Sequence, residues 1–262
     1  MTLAADPETA KAPPVFGPTA LANPGVYLPL GLSALAWATL ALLTGAGIPL
    51  ALCTSGSGGI ASGLASAIAV EWFYLSPGQL VIEWLLMVAA MMAPLAAPHL
   101  VIISAQSFPD RRLPLTLAAL GGYVVVWAMI GPLFIGVMIL LRAASAATGA
   151  GALAPVIAFG IAVIWCFAWQ RQRALRRCHA VPVLYGRDGA ATRAAALYGL
   201  RLGLLCAVVC APAMAAPMLA GQGLLPMALI THVLLQERMH LRPRPAFTAV
   251  SLALIGAMAA AL

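Results

Sequence analysis

Residues 80–105 read LVIEWLLMVAAMMAPLAAPHLVIISA, an apolar run with a single charged side chain, Glu83. A helix needs about 20 predominantly apolar residues to cross the hydrocarbon core of a bilayer. The run exceeds that length and therefore predicts a transmembrane helix. Because similar apolar runs recur along the chain, we expect a fold built from such helices.

The composition excludes an ordinary soluble fold. Of the 262 residues, 63% are hydrophobic and 8% are charged, whereas soluble domains carry about 25% charged residues. The 7 acids and 14 bases cannot coat a core of this size, so the apolar surface must face a lipid bilayer. The net charge of +7 does not indicate a nucleic-acid partner, because the bases lie in short segments between apolar runs.

Seven apolar segments predict an all-α, polytopic transmembrane helix bundle of about seven helices. Residues 1–27 are predicted to be a disordered or loosely held tail, and residues 28–262 the transmembrane domain. The predicted spans lie near 29–52, 80–105, 115–141, 152–169, 194–219, 222–239 and 246–262. The fourth and the last two are short, so a half-buried segment is an alternative there.

Arginines between the spans predict the orientation. Arg111 and Arg112 separate spans two and three, six arginines in residues 171–193 separate spans four and five, and Arg242 with Arg244 separates spans six and seven. Basic loops face the cytoplasm. The N-terminus is therefore expected in the cytoplasm and the C-terminus outside.

The second span carries Glu83, Met87 and Met91 at intervals of four, with Met92 beside them and His99 two turns further on. Four residues advance about 400° around a helix, so this series follows one face. The stripe indicates a carboxylate and thioethers that could hold a metal. The alternatives are methionines that only fill gaps between helices, and an acid that faces water at the interface.

The fifth span carries sulfur at intervals of four, in Cys206, Cys210, Met214 and Met218. Thiolates and thioethers select soft ions, above all Cu(I). Spans two and five are predicted to run in opposite directions, which places Met87 and Met91 at the depth of Cys210 and the methionines beyond it. If the two stripes face each other they form a Cu(I) site; otherwise these residues are packing. All five cysteines of the chain are expected to be free thiols.

Further polar residues lie near these spans. His232, in the sixth span, and His99 are each predicted either to bind a metal or to form a structural hydrogen bond. Glu237 and Arg238, near the inner face, are interpreted as residues that close a helix end. Cys178 and His179 lie in the arginine-rich segment, where metal transfer and a basic loop at lipid headgroups are the alternatives.

Several short stretches together resemble one family. They are MVAAMMAP at 87–94 after Trp84, the stretch 122–127, WQ with LRRC within 169–178, and GLRLGLLCAVVC at 199–210 followed by Glu237. Over residues 80–240 the chain resembles the bacterial predicted metal-binding integral membrane protein family, a domain of unknown function whose members are also described as copper chaperone-like. The resemblance implies a multi-pass protein of the bacterial inner membrane.

The resemblance also implies a metal site formed by Met87, Met91, Met92, Cys206, Cys210 and Met214, with Glu237 closing the next helix. Members show two adjacent cysteines and a tryptophan where this chain has Val209, Cys210 and Ala211. His99 stands where an apolar residue is usual. These departures leave two alternatives open, a ligand set in which His99 or His232 replaces a lost sulfur, or a reduced metal function.

We expect a non-enzymatic membrane protein that binds copper as Cu(I) and hands it to a copper-receiving membrane or periplasmic protein, or to a membrane complex. One alternative is a structural subunit or assembly factor of a larger membrane complex. Another is a secondary transporter with a proton path along Glu83, Glu237 and His232. Copper handling requires the sulfurs, transport requires the acids, and a structural subunit requires neither.

Overall fold

The computed structural model describes residues 22–46, 77–148, 153–178, 189–219, 223–240 and 244–261. Within these ranges the chain forms eight α-helices and no strand, so the predicted all-α fold class is confirmed. The helices are α1 (Pro24–Gly45), α2 (Pro77–Gln106), α3 (Arg112–Ala147), α4 (Ala154–Phe167), α5 (Trp169–Cys178), α6 (Gly189–Leu219), α7 (Leu224–Met239) and α8 (Pro245–Ala261).

Helix length limits the number of membrane spans. Among the described residues, α1, α2, α3 and α6 are long and apolar enough to cross a membrane, and a fifth span results if α4 and α5, which meet at a bend of 64°, act as one. α7 has 16 residues and α8 has 17, or about 24 and 26 Å of helix against a hydrocarbon core of about 30 Å. The helices are compatible with a multi-pass membrane protein, and the count of about seven stays a prediction.

The first helix begins earlier than predicted. α1 starts at Pro24 rather than near residue 29, so residues 24–27 are helical and do not belong to the tail. The side chain of Asn23 caps the helix by accepting a hydrogen bond from Gly25 N at 2.8 Å. Pro24 suits the first turn because its φ is fixed near the helical value. Residues 1–21 lie outside the described residues.

A proline within α2 fixes α1 to it. Pro94 has no N–H, so the carbonyl of Ala90 loses its usual partner one turn on. The Ser33 hydroxyl of α1 donates to this carbonyl at 2.7 Å, and the Trp37 indole N–H donates at 3.0 Å. The carbonyl that this proline frees is therefore an anchoring point between the two helices.

A second proline anchors α4 to α6 in the same way. Pro212 frees the carbonyl of Val208. The indole N–H of Trp165, on α4, donates to that carbonyl at 2.9 Å. α6 is thus held from one side at the turn that contains its cysteines.

Glycines bring α3 and α6 into the most extensive helix contact of the described structure. A Cβ atom on Gly199 would collide with the backbone of Ala119, and one on Gly203 would stand 2.9 Å from Cβ of Val126. Gly122 likewise meets the backbone of α6. Such small residues let helix backbones approach closely in membranes. The residue numbers rise together along both helices, so α3 and α6 are parallel.

Helix α2 runs antiparallel to α3. The Trp84 indole donates to the Trp127 carbonyl at 2.9 Å, and the Tyr123 hydroxyl donates to the Met92 carbonyl at 3.1 Å. The residue number therefore rises along α2 as it falls along α3. Because α3 is parallel to α6, α2 and α6 have the opposite directions that the sequence predicts.

The arginine-rich segment begins as a helix with a buried face. In α5 the buried residues Arg171, Ala174, Leu175 and Cys178 follow the spacing of an amphipathic helix, and exposed arginines occupy the other face. The Arg171 guanidinium donates two hydrogen bonds to the Glu237 carboxylate, one at 3.0 Å, and both side chains are 2% exposed. The interpretation of Arg171 as a loop residue is therefore wrong, since it lies in a helix, and Glu237, in the last turn of α7, forms a buried ion pair with it.

Candidate metal centre

Four side chains from three helices meet in the core. Cys206 Sγ lies 3.8 Å from Cys210 Sγ and 4.0 Å from Met92 Sδ. The Tyr123 hydroxyl lies 3.0 Å from Cys206 Sγ. We call Cys206, Cys210, Met92 and Tyr123 the sulfur cluster. All four are essentially fully buried, so the cluster is a dry, soft-donor environment.

The positions of these residues follow from the local sequence. Cys206 and Cys210 are one turn apart on α6, which places their thiols on the same face. Gly203, one turn before Cys206, lets α3 approach and brings Tyr123 to the thiol. Tyr123 also holds the Met92 carbonyl, so α2 is fixed at the same point. Tyr123 was quoted in the family resemblance, but its place in the site was not predicted.

Met92, rather than Met87 or Met91, supplies the thioether that contacts Cys206 in the described structure. Met91 lies about 100° and Met87 about 140° around α2 from Met92. Both are fully buried. Met87 lies about 7.5 Å from Met92 along α2. Because α2 and α6 are antiparallel, the step from Met92 to Met87 runs in the same direction as the step from Cys206 to Cys210. The predicted match in depth between Met87 and Cys210 agrees with these helix directions. The predicted stripe of Met87 and Met91, however, lies on a face of α2 that is rotated away from Met92, which contacts the Cys206 thiol.

Met214 and Met218 continue the sulfur series of α6 beyond the cluster. They lie about 12 and 18 Å from Cys206 along the helix axis, and both are fully buried. Met227 of α7 is buried as well. These thioethers form part of the core and are too distant from Cys206 to share one ion with it.

The predicted oxygen and nitrogen ligands do not join the cluster. His99 Nδ1 lies 3.2 Å from the Tyr198 hydroxyl, which is the structural bond that the sequence left open. His232 is exposed. Glu83 accepts a hydrogen bond from Gln79 at 2.9 Å, near the start of α2. His99 and Glu83 lie on opposite sides of the cluster along α2, about 10 and 13 Å from Met92 by helix rise, so neither side chain contacts the sulfur cluster.

A buried cation borders the cluster. Arg238 is 4% exposed, and its charge acts on Cys206, Cys178, Cys210 and Tyr123. Cys178, at the end of α5, is buried on the same side. The sequence analysis named Cys178 as a candidate for metal transfer but did not place Arg238 beside the cysteines, although a charged residue in an apolar helix is itself a signal of function. His179 lies outside the described residues.

The donor set fits a soft ion. In the described part of the chain no three His, Cys, Asp or Glu side chains converge in a way that could hold a metal, so an ion at the cluster would need the thioether. With metal–sulfur bonds of about 2.3 Å, three sulfurs around one ion stand about 4.0 Å apart. The two separations from Cys206 Sγ, 3.8 Å to Cys210 Sγ and 4.0 Å to Met92 Sδ, agree with this spacing. The four cysteines of the described residues are free, as predicted, and Cys53 lies outside them.

Fold and site define a class of protein, an α-helical bundle compatible with multi-pass membrane insertion whose core holds thiols and a thioether in contact. Residues 81–261 match the model of a family described as PpoB2, copper chaperone, and the chain belongs to this family. The match confirms the resemblance drawn from the sequence and supports a role in copper handling. Searches of curated proteins and of solved structures found no match.

Proposed function

We propose that this protein is a membrane-embedded Cu(I) chaperone that binds its cargo at Cys206, Cys210 and Met92. The observation that carries the proposal is that the Cys206 thiol contacts the Cys210 thiol and the Met92 thioether within the fully buried core. Thiolate and thioether ligands favour Cu(I) over the harder divalent ions. The family description supports copper as the cargo.

The proposal includes a direction of delivery, toward a membrane or periplasmic protein that matures outside the cytoplasm. In the predicted topology α6 runs outward, so Met214 and Met218 lie between the cysteines and the outer face. Thioethers carry no charge and bind Cu(I) without deprotonation. A series of them offers weaker positions through which the ion can leave the thiolates.

No catalytic role is part of the proposal. The cluster joins a phenol, two thiols and a thioether, an arrangement without a general base or a positioned nucleophile–base pair. The proton path of the transporter alternative also lacks support, since Glu237 is held by Arg171 and His232 is exposed. Metal loading distinguishes the proposed chaperone from the alternative of a structural subunit.

The test is Cu(I) loading of the purified protein under reducing conditions. We expect about one Cu(I) per chain in the parent, loss of most of it in Cys206→Ser with Cys210→Ser, and weaker binding in Met92→Leu, which keeps volume and apolarity. Cys166→Ser is the matched control, because the Cys166 thiol is buried on α4 and bonds the Ala162 carbonyl of its own helix.

Two further controls use methionines outside the contact. Met138→Leu tests the loss of a buried thioether on α3, and Met87→Leu with Met91→Leu tests the stripe that the sequence favoured. Equal Cu(I) content in the parent and in the double cysteine variant would contradict the proposal and favour a structural subunit. A larger loss from the Met87 and Met91 changes than from Met92→Leu would move the site to the predicted stripe.

A further inference from the structure

Arg238 is a buried cation that no carboxylate pairs with among the described residues. Its three guanidinium nitrogens have no hydrogen bond of ordinary geometry within that part of the chain, and the groups that interact with them are the thiols of Cys206 and Cys178. The adjacent carboxylate, Glu237, is occupied by Arg171. A buried charge that is neither paired nor hydrogen-bonded is costly. The position therefore calls for a negative partner close to the guanidinium.

The groups around Arg238 carry a negative charge only when they are deprotonated. They are the thiols of Cys206, Cys178 and Cys210 and the phenol of Tyr123. Cysteine binds metals as the thiolate. Metal binding at Cys206 and Cys210 would thus hold both side chains as thiolates next to the guanidinium.

The charge balance depends on the valence of the ion. Two thiolates, one neutral thioether and one monovalent ion leave a single negative charge, which one guanidinium cancels. With a divalent ion the same ligands are neutral, and the charge of Arg238 remains unbalanced in the core. The low local dielectric makes this difference large.

We infer that Arg238 is the counter-charge of the cluster and selects a monovalent soft cation, Cu(I) or its analogue Ag(I), over divalent thiophilic ions such as Zn(II). The inference rests on the proposed function and adds to it the charge state of the loaded site. Arginine suits this role because its guanidinium stays charged in proteins and is more weakly hydrated than an ammonium.

The test compares Cu(I) and Zn(II) affinities of Arg238→Gln, Arg238→Lys and the parent by competition with chromophoric chelators. Arg201→Gln is the matched control, because Arg201 is an exposed arginine on α6, the helix of both cysteines. For Arg238→Gln we expect Cu(I) binding to weaken by at least about 30-fold, the effect of losing one partner of a buried charge pair. Zn(II) binding should stay equal or strengthen.

The controls separate charge from structure. Arg201→Gln should leave both affinities within about threefold, and Arg238→Lys, which keeps the charge, should keep the preference for Cu(I). The free energy of unfolding of Arg238→Gln without metal is measured beside that of the parent, so that a loss of structure is not taken for a loss of metal affinity. If Arg238→Gln does not fold, a folded Arg238→Lys that prefers Zn(II) refutes the inference.

A failure of this inference can be distinguished from a failure of the proposed function. A parent that binds Cu(I) while Arg238→Gln binds it equally well, with an unchanged ratio to Zn(II), overturns the inference and leaves the proposed function standing. An Arg238→Gln variant that is less stable without metal and unchanged in Cu(I) affinity assigns Arg238 a structural role, which also overturns it. A parent that binds no Cu(I) overturns both.

Discussion

The buried ion pair between Arg171 and Glu237 gives a prediction about stability. Replacing Glu237 by Gln removes the carboxylate charge and leaves Arg171 with neutral acceptors only, the amide oxygen and the Val209 carbonyl, which its Nε meets at 3.3 Å. Both members of the pair are 2% exposed, so water cannot take over the lost interaction. Breaking a buried pair on one side costs about 3–5 kcal/mol. We expect a loss of this size in the free energy of unfolding.

The control is to remove both charges at once. Arg171→Leu with Glu237→Leu leaves no uncompensated charge, and buried ion pairs are often replaced by apolar residues without loss. We expect this double variant to be within about 1 kcal/mol of the parent, which gives a coupling energy of several kcal/mol. The assay is denaturant unfolding of the detergent-solubilised protein. A Glu237→Gln variant within about 1 kcal/mol of the parent, or a double variant less stable than Glu237→Gln, would refute the reasoning.

Three further predictions concern packing and topology. Gly199→Ala places a methyl group against the backbone of α3 and should cost about 1–3 kcal/mol, measured by the same unfolding assay; an unchanged stability would contradict the close approach. Ser33→Ala with Trp37→Phe leaves the Ala90 carbonyl unsatisfied and should lower the free energy of unfolding by about 1–3 kcal/mol. An unchanged stability would mean that this carbonyl finds another donor and would contradict the prediction. Reporter fusions after each of the three basic segments should report cytoplasm and one at Leu262 should report the outside; a cytoplasmic C-terminus would overturn the assumed outward direction of α6.

Much of the fold could be predicted because membrane helices leave a strong apolar signal. The run around Met87–Pro98 predicts α2, and the positive-inside rule predicts opposite directions for α2 and α6. The helix α5 could not be separated from a loop by hydropathy, since its sequence is rich in arginine. Its buried face has the i, i+3, i+4, i+7 spacing, running from Arg171 to Cys178, which is the signal that could have found it.

The site could be predicted in part. The interval of four between Cys206 and Cys210 correctly places their thiols together. The interval between Met87 and Met91 predicts a shared face but not which face turns toward α6, because that rotation is set by tertiary contacts. Those contacts are Tyr123 on the Met92 carbonyl and the glycine packing of α3 and α6.

The sequence also does not predict which helices the prolines anchor. Pro94 and Pro212 predict freed carbonyls, but not the donors that reach them. Those donors, among them Trp37 and Trp165, come from helices far away in the chain. A local rule identifies the unsatisfied acceptor, whereas the packed structure alone identifies its partner.

X-ray absorption at the copper edge of the Cu(I)-loaded protein tests the central claim most directly, because it reports the ligands themselves. The account predicts about three sulfur neighbours at about 2.3 Å, with one sulfur fewer in Met92→Leu and little bound copper in Cys206→Ser with Cys210→Ser. Nitrogen or oxygen neighbours in the first shell, or a parent spectrum that Met92→Leu does not change, would contradict a site formed by Cys206, Cys210 and Met92.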